Sequence, residues 1–324
     1  MKTQNGQETY FITGALGCIG AWTLYHLVKD GKRAICFDIS DNRHRLNLLL
    51  APEEQDQIIF IHGDLTDFDQ VLATLQDQKV THVIHLAALQ VPFCKADPVR
   101  GAQVNVLGTA NIFEACRQAG LKHLTYASSI AVYGPPEGYP DTLIPHDAPF
   151  DPRTLYGVYK VANESTAKIF WQDHEISSTA LRPYIVYGPG RDQGMTSDPT
   201  KAMLAAAAGD PFHINFDGNY QYHFASDVAL QFIDAAQRPL EGAYSFNLGT
   251  APASMVEIVE MIKKIKPEAA ITFTETTLPF PLCDGRAFQE HFSHVPVTPL
   301  EDGIRQTIEH FEACLNDGRM DRPD

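Results

Sequence analysis

Tyr156 and Lys160, four residues apart in Tyr156-Gly157-Val158-Tyr159-Lys160, are the groups of this chain best suited to moving a proton. That spacing is one helical turn, so a phenol and an ammonium reach the same place. A free phenol titrates near pH ~10 and is a poor base at neutrality, but a cation within ~4–6 Å favours its ionised form. Tyr156 is therefore expected to take a proton from a substrate hydroxyl, with Lys160 lowering its pKa. Tyr159 is the competing phenol, but it sits one residue from Lys160 and points away on a helix.

A second constellation tells what accompanies the proton. In Thr13-Gly14-Ala15-Leu16-Gly17-Cys18-Ile19-Gly20, the glycines Gly14, Gly17 and Gly20 follow an apolar strand and open a helix. In that context they give a tight turn and a close approach to a pyrophosphate. The amides at the helix start, at Cys18 and Ile19, face its negative charge. Asp38 ends the next strand, at about the spacing of an acid that accepts from ribose hydroxyls. A carboxylate there repels a 2′-phosphate, so NAD is expected rather than NADP, with Arg43 the nearby cation able to offset this if its loop folds back. Dinucleotide and proton together imply hydride transfer.

Positioning these groups requires alternating strands and helices. Expected strands are Tyr10–Thr13, Ala34–Asp38, Ile58–His62, His82–Leu86, His123–Ser128 and Thr179–Val186. Between them, helices are expected over Cys18–Lys29, Asp67–Gln76, Val99–Gln118 and Thr154–His174. The pattern predicts an α/β fold, a doubly wound parallel (Rossmann) sheet. After Val186 a Gly/Pro-rich stretch breaks the alternation; Gly242–Gly249 reads as a strand returning to the sheet, and Leu300–Leu315 as a closing helix. The expected division is 1–187 plus about 235–250 for the dinucleotide-binding domain. Residues 188–234 plus 251–324 form a smaller interleaved substrate lobe.

The chain has 324 residues and a formal net charge of -15, with no Lys/Arg-rich run, which argues against nucleic-acid or anionic-membrane partners. Met1–Thr9 is polar and no long apolar run follows, so neither a secretory leader nor a membrane span is expected. Six scattered cysteines without a C-x-x-C pair read as thiols in a reducing cytoplasm. No metal is expected: His82 and His85 face opposite sides of a strand, and His291 and His294 lack a third ligand. Glu53-Glu54 and Asp67/Asp69 read as solvated faces.

The Gly-x-x-Gly-x-x-Gly spacing together with Tyr156 and Lys160 resembles the extended short-chain dehydrogenase/reductases, the NAD-dependent epimerase/dehydratase family, over nearly the whole chain. The resemblance implies further cofactor contacts. Asp64 and Leu65, in His62-Gly63-Asp64-Leu65, match the adenine-contacting turn. Leu86, Ala87 and Ala88 match a strand end lining the cofactor, Asn105 a position on the dimer-facing helix, and Pro183 the strand passing the nicotinamide. Lys160 would also grip the nicotinamide ribose. Ser128 and Ser129 both follow the strand near the reacting centre. The resemblance selects Ser129, five residues before Gly134, as the catalytic serine that bonds the reacting oxygen. It also implies a homodimer packed through helices near Val99–Gln118 and Thr154–His174.

In that family the nucleotide-sugar enzymes carry an Asn in the strand matching Leu181–Gly188 and an Arg before the segment matching Tyr222–Val228. Here those positions are Ile185 and Tyr220. A diphosphate would lose charge-assisted bonds worth about 1.5–3 kcal/mol each. The leading expectation is therefore an NAD-dependent oxidoreductase acting on a carbinol of a free sugar, sugar acid or small polyhydroxy compound. Gln90, Ser129, Arg191, Thr196 and Tyr222 are its expected substrate contacts. The alternative is an NAD-retaining (nucleotide-)sugar epimerase or dehydratase, and a third reading is a non-catalytic dinucleotide-sensing protein.

Overall fold

Seven short, largely apolar runs pair into one parallel sheet in the computed structural model, which describes residues 8–140, 142–293, 295 and 297–321. Across the sheet the order is Ala243–Asn247, Ser177–Arg182, His123–Ala127, His82–His85, Thr9–Thr13, Arg33–Asp38 and Ile58–His62. Order reverses beside Thr9–Thr13, where a doubly wound sheet opens a crevice at the carboxyl ends of its strands. Alternation along each strand serves two cores. Tyr10 and Ile12 pack with Trp22, Leu24 and Phe232 on one face, whereas Phe11 and Phe37 pack with Phe113 and Tyr126 on the other.

Three smaller sheets and the helices Asp198–Ala208, Met255–Ile265 and Leu300–Asn316 build the second lobe around Met203, Tyr220, Ile258 and Ile308. The helix Ala225–Gln237 packs on the helix Cys18–Lys29 and on the strands His82–His85 and His123–Ala127. We therefore assign it to the dinucleotide-binding half, although the boundary expected near 235 placed most of it in the lobe.

Two elements depart from expectation for local reasons. The strand expected over Thr179–Val186 is two strands, Ser177–Arg182 in the large sheet and Ile185–Tyr187 in a small one. Pro183 has no N–H for the ladder, so the chain leaves the first sheet there. The helix expected over Val99–Gln118 is interrupted by a π-helical turn at Gln103–Leu107, between Pro98–Ala102 and Gly108–Gln118. Among the described residues no helix is long and apolar enough to cross a membrane. No group of three or more His, Cys, Asp or Glu among them is arranged to hold a metal ion. His85 is buried between the hydroxyls of Thr13 and Thr109, His82 stacks on Tyr10, and His294 lies outside the described residues.

Candidate active site

Local chemistry starts the helix Leu155–His174 at a fixed point. The Thr154 side chain accepts from Gly157 N and caps it. Gly157 then lets the first turn abut the segment after Ser129, because a Cβ there would lie 2.1 Å from the Ala131 carbonyl oxygen. The result is that the Ser129 hydroxyl comes near enough to the Tyr156 phenol to favour its ionised form. One turn on, buried Lys160 donates from Nζ to the Ala127 carbonyl at 2.6 Å, and Nζ lies 5.5 Å from the centre of the Tyr156 ring. Ser128 turns the other way and donates to Glu164, so geometry separates the two serines. Tyr159 donates to the Pro98 carbonyl at 2.8 Å and takes no part.

The electrostatics correct one expectation. Burial pushes the Tyr156 phenol up to about 12, opposed by the Ser129 hydroxyl and by the Arg191 charge. Burial likewise pulls the Lys160 ammonium down to about 8. The lowered phenol pKa expected from Lys160 is thus not produced by the protein's own groups, because desolvation outweighs the charges that favour the phenolate.

The glycine-rich turn fits a dinucleotide. Gly14 adopts φ +61 against Ala87, where a Cβ would lie 2.6 Å from the Ala87 Cα. Gly17 begins the helix Cys18–Lys29 without a side-chain cap, and the first turn carries no acid. The amides at Cys18 and Ile19 can therefore meet a pyrophosphate without competition from a carboxylate. Asp38 accepts from Leu16 N at 2.9 Å and from Ser40 N at 3.0 Å, leaving carboxylate lone pairs for ribose hydroxyls. Arg43 does not fold back toward it but stacks on the Phe60 ring, 3.5 Å from the ring centre. Replacing Asp38 with Ala is expected to improve NADPH affinity relative to NADH roughly tenfold, about 1.4 kcal/mol. Fluorescence titration checks this, and an unchanged preference would remove Asp38 from the role.

Other expected cofactor residues fall into two groups. Leu86, Ala87 and Ala88 run beside the glycine-rich turn, with Leu86 N and Ala87 N bonded to Thr13, and Pro183 is buried where the two strands part. Asn105, by contrast, is wholly buried, and both ends of its amide are taken by the Leu89 main chain at 2.7 and 2.9 Å. It positions the segment after His82–His85 rather than facing the cleft. Leu65 is buried against Gly108, and the Asp64 carboxylate is occupied by Thr66 and Arg100. Those bonds hold Asp64 below the usual carboxylate range despite its partial burial.

The substrate candidates separate similarly. Arg191, Gln90 and Thr196 meet around Gly194: Arg191 Nη2 donates to Thr196 Oγ1 at 3.3 Å, and a Cβ on Gly194 would strike Gln90 Oε1. Arg191 Nε is buried without a partner among the described residues, and its charge reaches Tyr156. Tyr222 stands in the lobe core, paired with Ile185 in the neighbouring strand, its hydroxyl without a partner among the described residues. Sequence reasoning missed Glu164, although it continues the four-residue spacing of Tyr156 and Lys160. It also missed Arg45, which donates to the Leu16 carbonyl at 3.1 Å and carries no motif that would mark it.

A sequence profile of the NAD-dependent epimerase/dehydratase family matches residues 10–249. The chain belongs to this family. It is 32% identical over 245 residues to the UDP-glucose 4-epimerase of Mycolicibacterium smegmatis, covering 74% of this chain and 76% of the relative. UDP-glucuronate 4-epimerase 2 of Arabidopsis thaliana is 26% identical, covering 98% of this chain and 79% of its own. Among solved structures, the NAD complex of UDP-glucose 4-epimerase from Thermus thermophilus superposes with a TM-score of 0.79 at 25% identity, covering 94% of this chain and 98% of the other. L-threonine dehydrogenase from Clostridium difficile shares the fold, with a TM-score of 0.83 at 21% identity over 98% of this chain and 100% of the other. Membership makes the chain an NAD-dependent enzyme, which overturns the reading as a non-catalytic sensor. The relatives' names match the alternative expectation, a nucleotide-sugar epimerase, better than the leading one, a free-sugar dehydrogenase.

Proposed function

We propose that this enzyme epimerises a sugar: it oxidises a carbinol transiently with NAD and restores it in inverted configuration, the cofactor remaining bound. The observation that carries the reading is buried Lys160, its Nζ held on the Ala127 carbonyl 5.5 Å from the centre of the Tyr156 ring, with Ser129 near the phenol, beside a dinucleotide turn. Gly14, Gly17 and the main chain at Cys18 and Ile19 would hold the pyrophosphate, Asp38 the adenosine ribose and Lys160 the nicotinamide ribose. The oxidised nicotinamide of NAD would supply the acceptor for the carbinol hydride and, until that transfer neutralises it, a positive charge beside the phenol. Ser129 holds the carbinol oxygen in both its hydroxyl and carbonyl forms. Tyr156 takes the proton from that oxygen during oxidation and returns it on reduction. Arg191, with Gln90 and Thr196, would orient the sugar between the two half-reactions.

A specific feature favours a second reading, the free-sugar dehydrogenase. Tyr220 occupies the position of a diphosphate-binding arginine, but it is buried, donates to the Asp217 carbonyl at 2.7 Å and accepts from Leu278 N at 2.6 Å. Tyr184, Phe216 and Phe280 pack around its ring. The test is chromatographic analysis of UDP-glucose and UDP-glucuronate, in parallel with free sugars, aldonates and uronates, after incubation with enzyme and NAD. An epimer formed without accumulating NADH supports epimerisation. NADH accumulating with a free sugar replaces it with the dehydrogenase reading, and no reaction with either class overturns both.

We also propose a homodimer in the cytoplasm, supported by six free cysteines and by an apolar stripe. Leu155, Val158 and Ile169 on one helix and Val99 and Leu107 near the π-helical turn are exposed, and the Tyr159–Pro98 bond joins the two elements. Val158→Glu is expected to halve the native mass from twice 35.9 kDa, checked by light scattering. An unchanged mass would remove this face from the interface.

A further inference from the structure

The segment that leaves the nicotinamide-side strand Ile185–Tyr187 is fastened at both flanks of the glycine-rich turn. On one flank Trp22 Nε1 donates to the Pro189 carbonyl at 2.9 Å. On the other, Arg45 Nε and Nη2 donate to Asp192 Oδ1 at 3.0 and 2.6 Å, and His44 Nε2 lies 2.6 Å from Asp192 Oδ2. The third guanidinium nitrogen, Nη1, donates to the Leu16 carbonyl at 3.1 Å. Leu16 N in turn donates to Asp38 at 2.9 Å. A continuous chain of bonds therefore runs Asp38–Leu16–Arg45–Asp192, linking the ribose acid, the pyrophosphate turn and the loop that carries Arg191.

This chain of bonds has the chemistry of a latch. A guanidinium presents several donors in a rigid plane, so one side chain can bridge two segments at once. Here Nη1 is fixed to the cofactor turn, while Nε and Nη2 converge on Asp192 Oδ1 in the loop after the nicotinamide strand. The Cys18 thiol, at the first residue of the helix that would face the pyrophosphate, is pushed up to about 11 by burial, with the charges of Arg191, Arg45 and Asp192 all within reach. These groups thus act electrostatically on the helix start where the dinucleotide's own charge would lie.

We propose that Arg45 and Asp192, with His44, are positioning residues that latch the 188–192 loop across the cofactor turn and so keep NAD(H) bound between the two half-reactions. The latch deepens the epimerase reading and rests on the cleft being a dinucleotide site. An enzyme that returns a hydride to its own substrate needs slow cofactor exchange, whereas a dehydrogenase must open at each turnover.

The test is the rate at which prebound NADH is displaced by excess NAD, followed by NADH fluorescence in stopped flow. Asp192→Asn removes the charge at one end of the bridge, and Arg45→Lys leaves a single nitrogen that cannot hold Leu16 and Asp192 together as the guanidinium does. Each is expected to speed dissociation at least about tenfold, equivalent to about 1.4 kcal/mol, with an unchanged association rate and melting temperature. Asp41→Asn, an exposed neighbouring acid paired with His62, serves as control and is expected to leave the rate unchanged. Equal dissociation rates in wild type and both latch variants would overturn the latch while leaving the dinucleotide site intact. Failure of the wild-type protein to bind NADH at all would overturn the cofactor reading and the latch with it.

Discussion

Tyr156→Phe is expected to lower kcat by about 10²–10⁴-fold, the usual contribution of a positioned acid–base group, with NADH affinity unchanged. The phenylalanine ring fills the same space one turn before Lys160, so the cofactor side of the site stays in place. What is lost is the hydroxyl that would exchange the proton with the substrate oxygen beside Ser129. The burial that pushes this phenol up to about 12 makes the prediction sharper. A buried phenol becomes a working base only while cationic charge stands beside it, so no water or neighbouring hydroxyl replaces it easily. Steady-state kinetics with parallel NADH titration checks both halves, and near wild-type turnover would remove Tyr156 from the mechanism.

Glu164→Gln is expected to cost about 3–5 kcal/mol of stability, because it leaves a buried guanidinium without its counter-charge. Arg182 and Glu164 are both about 1% exposed. Arg182 Nε and Nη2 grip the two carboxylate oxygens at 2.8 and 2.5 Å, while Nη1 donates to the Tyr133 hydroxyl and the His146 carbonyl. The pair joins the catalytic helix to the strand Ser177–Arg182, and through Ser128 to the strand before the catalytic serine. Arg182→Met is expected to be similarly harmful, and the double variant Arg182→Met/Glu164→Leu to recover part of the loss, since removing both charges leaves none stranded. Urea unfolding measures this. Single variants within about 0.5 kcal/mol of wild type, the ordinary surface range, would show that the pair is not stabilising the fold in this way.

The sequence made legible whatever depends on local rules. Short apolar runs between amphipathic helices gave the parallel sheet, because strands buried on both faces need apolar residues at every position. The phenol–ammonium spacing and the glycine pattern located the centre of the site for the same reason: both follow from helix periodicity and backbone sterics. What stayed hidden depends on contacts distant in sequence. The π-helical turn at Gln103–Leu107 coincides with Asn105 reaching the main chain of Leu89, sixteen residues away, while the apolar pattern alone reads as one helix. The Tyr156 pKa turned on burial, which no spacing reveals. Arg43 is the cation the sequence offers in the loop after Asp38, yet Arg45 is the one that reaches the cofactor turn, since the loop places Arg43 on Phe60. Tyr220 was legible as a missing charge, but not as the hub that fastens the Leu278 segment to the lobe.

The most direct test of the central claim uses a turned-over sugar carrying deuterium on the oxidised carbinol carbon, incubated with enzyme in the presence of excess unlabelled NADH. Oxidation beside Tyr156 with a latched cofactor predicts an epimer that keeps its deuterium, while the NADH in solution stays unlabelled. Deuterium appearing in the NADH pool, with loss of label from the sugar, would contradict the account, because the hydride would then be leaving with a cofactor that exchanges.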